Sequence, residues 1–176
     1  MSGSQGNSSA PLIADLARAS VGELLAAMAH AEAELRRRKV LRSGNMPTGD
    51  LAEYLFCRAF NWEQNGQSFK AVDAIGVGGH RYQIKGRRLT GGQTSRQLSA
   101  IRDLDGFDTL AAAVFDLEYR VLAAALIPVG LVRKGAKHSS HTNSFRFQLT
   151  DSVLKDPDVK DVTQELRKLE FESARC

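Results

Sequence analysis

The chain has 176 residues, 43% of them apolar and 25% charged, and carries a formal net charge of +4. That length suits one domain with a sizeable core, and no apolar run approaches the roughly 20 residues of a membrane span. The mild basic excess, with a pI of about 9.3, favours an anionic partner without requiring one. Two cysteines, Cys57 and Cys176, exclude a disulfide framework, and the stretch MSGSQGNSSAP has neither the basic nor the apolar region of a signal peptide. The expectation is a cytoplasmic protein with no membrane partner.

Residues 1–19 open with Ser, Gly, Asn and Gln and read as a disordered tail. Residues 20–44 form an expected helix, with Ser20 and Glu23 at capping-box spacing and Gly44 at the exit. Val21, Leu24, Leu25, Met28, Ala31 and Leu35 make an apolar stripe suited to a homodimer arm, a partner or the protein's own core. The basic run at its end, including Arg36, Arg37 and Arg38, reads as a solvated face complementing the helix dipole, or as a phosphate contact.

Residues 45–176 then form a single domain. A second helix, Asp50–Phe60, is apolar almost all round apart from Glu53. After a central hairpin the spacing of Leu98, Ile101 and Leu104 predicts a third helix over Ser95–Leu104. Residues 109–116 and 120–127 read as a second hairpin buried on both faces, although their alanines leave a helix open. Pro128 starts a short helix through about Arg133, and SFRFQLT over 144–150 alternates as a strand. Turns near Asp156-Pro157 lead to a last helix over 161–171. The expected fold is α/β or α+β, a mixed β-sheet flanked by helices, with the N-terminal helix as an extension.

Within the central hairpin, FKAVDAIGVGGHRYQIKGRR, a turn of five residues from Gly76 to His80 would leave Ile75 opposite Arg81. Asp73 would then lie across from Gln83, with Phe69, Ala71 and Ile75 on its own face and Lys85 on the face of Gln83. A one-residue slip would undo that arrangement. Other chemistries drop out: there is no phosphate-binding glycine loop, and two distant cysteines make no zinc knuckle. His138 and His141, in a basic polar segment over 134–143, suit solvated or phosphate-contacting roles better than a metal pair.

Glu53 on a helix, Asp73 on one strand and Gln83-Ile84-Lys85 on the next resemble the PD-(D/E)XK nuclease superfamily. The likeness covers about residues 49–127, and the element order helix, hairpin, helix, strand matches that restriction-endonuclease-like core. A longer run, through HTNSFRFQLTDSVL, is similar to a small bacterial family placed in the superfamily, which brings no known activity. Val72 stands at the motif's proline and Gln83 at its acidic position, similar to the Q-x-K variant of some methylation-dependent restriction enzymes.

The resemblance implies a Mg²⁺-dependent endonuclease acting on DNA, in restriction or mobile-element defence, with Mn²⁺ as a substitute. Asp73 and the backbone carbonyl of Ile84 would bind the ion, and Glu53 would complete the shell. Lys85 would orient the attacking water, with Gln83 beside the metal. Arg87, Arg88 and Arg96 would grip the nucleic-acid backbone. Plainer accounts stand beside these: Glu53 as a capping-box partner of Asp50, and Asp73 with Lys85 as a cross-strand ion pair. A catalytically silent nucleic-acid-binding or interaction module on the same fold is the alternative function, and a structural protein is a third.

Overall fold

The structure, a computed structural model, describes residues 16, 18–42, 47–65, 72–89 and 95–170. Most of the expected tail, the loop over 43–46, Phe69, Ala71, Gly91, Gly92 and Cys176 lie outside the described residues. Contacts divide the chain after Leu41 into two units, 1–41 and 42–176.

In the first unit α1 (Val21–Arg37) starts on the expected capping box. The Ser20 side chain accepts from the Glu23 N–H, and the Glu23 carboxylate accepts from the Ser20 N–H at 2.8 Å. The helix ends at Arg37, seven residues short of Gly44, and Lys39 takes a left-handed conformation (φ 59°). The arginine run is largely self-neutralised. Glu34 accepts from Arg37 and Arg38 at 2.8 and 2.7 Å, which pulls its carboxyl down to about 2, and Glu32 pairs with Arg36. The three arginines lie exposed at the end of α1, each beside a glutamate of the same helix.

The second unit is a mixed sheet between two layers. Its strands run β1 (Glu63–Gln64), β2 (Ala74–Ile75), β3 (Arg81–Arg88), β4 (Thr109–Phe115), β5 (Val121–Pro128) and, beyond the small β6 (Lys137–Ser139) and β7 (Ser144–Arg146) hairpin, β8 (Lys160–Asp161). The sheet order is β1-β2-β3-β4-β5-β8, with β3 and β4 parallel and the other pairs antiparallel. Helix α2 (Thr48–Phe60) packs Ala52, Leu55 and Phe56 on one face of the sheet, where Ile84, Ala111, Ala113 and Ala124 meet them. α5 (Thr163–Glu170) joins the same layer through Leu166.

The opposite face, with Leu110, Ala112, Val114, Ala125 and Ile127, is covered by Leu98, Ile101, Phe147, Leu149 and Val132. Val132 belongs to α3 (Val129–Gly135), and α4 (Asp151–Leu154) follows β7. The small side chains of Ala111–Ala113 and Ala123–Ala125 let both layers lie close, and their pairing settles the 109–127 segment as strands. The mixed α/β fold is as expected from the sequence.

One element is not. Residues 95–104 form no helix; they run extended and irregular. Leu98 N–H donates to the Phe147 carbonyl at 2.9 Å, and Ile101 and Phe145 exchange bonds at 3.0 and 2.7 Å. The alternating segment Phe145, Phe147, Leu149 buries its apolar face here and needs a hydrogen-bonding neighbour, which residues 96–101 supply. Leu98, Ile101 and Leu104 are buried as a helical stripe would have been, so their spacing was satisfied by another backbone.

Two glycines fix how tightly the site's elements approach. A Cβ at Gly86 would lie 2.6 Å from the Thr48 carbonyl oxygen and 3.2 Å from Ala52 Cβ, so α2 sits directly on bare β3 backbone. A Cβ at Gly76 would come within 2.8 Å of the Tyr82 ring. Tyr82 stacks on Trp62 at 3.6 Å, and Trp62 stacks on Phe60 at 5.1 Å. Replacing Gly86 by Ala must push a backbone carbonyl aside. The expected loss is about 1–3 kcal/mol, read as a lower midpoint in urea denaturation at unchanged slope. A midpoint equal to wild type would show that α2 moves freely off β3.

Candidate active site

The β2–β3 hairpin has the register the sequence predicts. Ile75 faces Arg81 and Ala74 faces Tyr82 across the turn, whose ends close through the Gly76 N–H and the His80 carbonyl at 2.9 Å. Continuing that pairing by two residues would set the Val72 carbonyl against the Ile84 N–H. The chain departs from the ladder instead. Val72 presents its carbonyl to the Asn65 side-chain amide at 3.3 Å, and Asn65 N–H donates to the Asp73 carbonyl at 2.9 Å.

The vacated donor is taken by the Asp73 carboxylate. Its Oδ2 accepts from the Ile84 N–H at 2.7 Å and from the Gln83 side-chain amide at 2.9 Å. Its Oδ1 has no hydrogen bond among the described residues. In a strand a residue's N–H and C=O point to the same flank, so the Ile84 carbonyl lies on the side that Asp73 occupies. Where the two strands part, a carboxylate oxygen and a backbone carbonyl thus share one opening. Asp73, Gln83 and Ile84 are brought together.

Glu53 approaches from α2. The helix begins two residues before the expected Asp50, with Pro47 at its cap position and no side-chain cap, so Glu53 sits beyond the first turn. The Asp50 carboxylate accepts from the Arg42 N–H at 2.8 Å, and Glu53 accepts from the Gln64 side-chain amide at 2.8 Å. The capping-box account of Glu53 is therefore not the one observed. Its side chain is 26% exposed, with Arg42 at 3.9 Å. Burial raises its carboxyl above the ordinary glutamate value, the Gln64 bond opposes this, and the charges of Asp73 and Asp50 add to the rise. Cys57, one turn further along α2, has its thiol pushed up to about 11 by burial, with Glu53 and Asp73 contributing. It is a packing thiol, not a nucleophile.

Lys85 shares the face of Gln83, since its register partner Ala112 and that of Gln83, Leu110, belong to the same side. Gln83 is buried and Lys85 half-buried. Lys85 has no ion pair among the described residues, so the plain Asp73–Lys85 cross-strand bridge is not formed. Arg87 follows on the same face and is half-buried. Arg88 points the other way. Its guanidinium donates to the Leu117 carbonyl at 2.6 Å and lies 4.3 Å from the Tyr119 ring centre, bracing the β4–β5 turn. Arg96 pairs with Asp151 at 2.6 Å. His138 and His141 lie in the exposed β6–β7 hairpin, with His138 against the Phe145 ring.

At the start of β3 the Arg81 N–H and guanidinium both donate to Asp108, holding its carboxyl down to about 2 and tying β3 to β4. Gln64 and Asn65, which orient Glu53 and residues 72–73, carry no sequence signal: they sit in and beside a two-residue strand with no alternation. Among the described residues no three His, Cys, Asp or Glu side chains gather as a metal cluster. The Asp73 and Glu53 carboxylates and the Ile84 carbonyl offer oxygen donors, the kind a hard cation such as Mg²⁺ takes while keeping several waters. No family model matches the chain, and no curated protein matches it. Among the described residues no helix is long and apolar enough to cross a membrane.

The direction of the Glu53 shift fixes a stability effect. The folded chain keeps the Glu53 proton to higher pH than the unfolded chain does, so the ionised carboxylate destabilises the fold at neutral pH. That effect fades as pH falls through the raised folded value and is gone below the unfolded value of about 4.3. In metal-free buffer E53Q should melt above wild type at pH 7, and the two melting curves should converge below about pH 4. A wild type that melts higher at pH 7 would contradict the assignment.

Proposed function

We propose that the protein is a Mg²⁺-dependent endonuclease that hydrolyses DNA phosphodiester bonds, built as a restriction-endonuclease-like PD-(D/E)XK site in its Q-x-K form. The observation that carries this is the Asp73 carboxylate, fixed at the parting of β2 and β3 by the Gln83 amide and the Ile84 N–H. A bound Mg²⁺, or Mn²⁺ in its place, would supply Lewis-acid polarisation of a phosphate oxygen and a water of lowered pKa.

Asp73, the Ile84 carbonyl and Glu53 are the groups that would hold it. Gln83 donates to Asp73 where an acidic residue would repel it, so the amide orients the ligand at the expense of one negative charge. Glu53 then supplies the second charge, and Gln64 fixes its direction. Lys85 carries an ammonium uncommitted to any carboxylate among the described residues, suited to orient the attacking water and to face charge building on the phosphate. Of the three arginines, Arg87 is proposed for backbone contact because it shares the Lys85 face; Arg88 donates to the Leu117 carbonyl and Arg96 pairs with Asp151. A homodimer through the exposed α1 stripe of Val21, Leu24, Leu25 and Met28 belongs to the same proposal, as does a cytoplasmic setting.

The alternative is a silent DNA-binding module on this fold, favoured only by the missing charge at Gln83. Purified protein should nick supercoiled plasmid with Mg²⁺ or Mn²⁺, and D73A and K85A should each lower the rate by about two orders of magnitude or more. Cleavage that survives both substitutions would sink the proposal. Binding with no cleavage under either metal would establish the silent module.

A further inference from the structure

Between Glu118 and Asp151 the chain has five Lys or Arg, two His and not one carboxylate. Two of the five are neutralised nearby: Arg120 pairs with Glu118, and Arg133 with Asp105. Lys134, Lys137 and Arg146 have no carboxylate partner among the described residues. All three are exposed, as are His138 and His141.

The pairing within this group is the informative part. In the β6–β7 hairpin Lys137 stands directly opposite Arg146, so two cations project to the same side of a two-stranded ribbon. Like charges in that position destabilise a hairpin, and a small separate ribbon has little surplus to absorb the repulsion. Arg146 donates to the Ser139 hydroxyl at 3.1 Å, which orients the guanidinium without neutralising it. Such an arrangement is stabilised when an anion lies across both side chains.

The surroundings indicate which anion. The connecting turn offers the exposed polar side chains of Ser140, Thr142 and Asn143, while Phe145 turns inward onto the buried layer. No large apolar side chain is exposed over 128–150, so the surface lacks the inserting residues of a lipid-binding face. Short polar donors with cations suit phosphate oxygens of a nucleic-acid backbone. The hairpin also lies on the correct side of the sheet. Phe145, Phe147 and Leu149 pack on the face occupied by Leu110 and Ala112, the register partners of Gln83 and Lys85. Lys85 and the basic ribbon therefore belong to one side of the molecule.

We propose that the β6–β7 ribbon, through Lys137 and Arg146, is a sequence-independent contact for the duplex DNA backbone. The choice of ligand rests on the phosphodiester-cleavage reading, and the test keeps the two apart by measuring binding without divalent metal. Anisotropy of a labelled duplex in EDTA would be followed over a salt series. K137A/R146A should bind more weakly, with a salt dependence shallower by about two in log–log slope. K160A/K168A, which removes the same charge at and near the opposite sheet edge, should keep the wild-type slope. K137R/R146K, which keeps both charges, should also retain it.

Because divalent metal is absent throughout, the salt series reports contact and not catalysis. An unchanged slope in K137A/R146A would overturn the proposal. So would an equal loss in K160A/K168A, because binding would then follow net charge alone. A wild type that cuts plasmid with Mg²⁺ but shows no duplex binding in EDTA would overturn the ribbon contact and leave the cleavage reading standing.

Discussion

The site depends on one substitution of hydrogen-bond partners: a carboxylate takes the place of a backbone carbonyl. The β2–β3 ladder would next pair Val72 with Ile84, yet Val72 turns to Asn65 and Asp73 accepts the Ile84 N–H. A buried strand N–H left without a partner destabilises a fold by about 1–3 kcal/mol, so the two strands can part here only because Asp73 is present. The same exchange that opens the sheet fixes the acid at the opening. Fold and candidate chemistry share a single residue, and damage to one is damage to the other.

Electrostatics around this opening are arranged at some expense to stability. Glu53 is partly desolvated, and the Asp73 charge adds to the rise that burial imposes on its carboxyl. Two glutamine amides, from Gln64 and Gln83, steady the two acids with dipoles and leave their charge intact. Elsewhere opposite charges meet directly, as in Arg81 with Asp108 or Glu34 with its arginines. At the opening the acids are held chiefly by amides and a backbone N–H, with Arg42 at 3.9 Å from Glu53 the nearest opposite charge.

Much of this was legible in the sequence, for reasons that differ by element. The hairpin register followed from turn length and the twofold alternation of strands, which are local rules. The doubly buried 109–127 hairpin followed from continuous apolar runs. The capping box at Ser20 is a local motif and formed as read. Residues 95–104 were misread because a three-residue spacing of Leu98, Ile101 and Leu104 serves a helix or an irregular inward-facing segment equally well. Only the distant segment 144–149 decides between them. Gln64 and Asn65 were invisible because their role lies in contacts to residues 7 to 11 positions away, set by how the segment packs. Arg88 and Arg96 read as a basic grip, but their committed partners, Leu117, Tyr119 and Asp151, are 29 to 55 positions off.

The aromatic stack beside the turn has an optical consequence. Trp62 is the chain's single tryptophan, and its ring lies on Tyr82, the residue immediately before Gln83. Gly76 leaves no room between that pair and the turn. Tyr82 lies on β3 and Trp62 just before β1, the strand paired with β2, so a movement that carries β1 and β2 away from β3 slides the two rings or parts them. The protein thus contains its own chromophore at the hairpin, and ultraviolet emission from one indole would follow the opening and closing of the strands that carry Asp73 and Lys85.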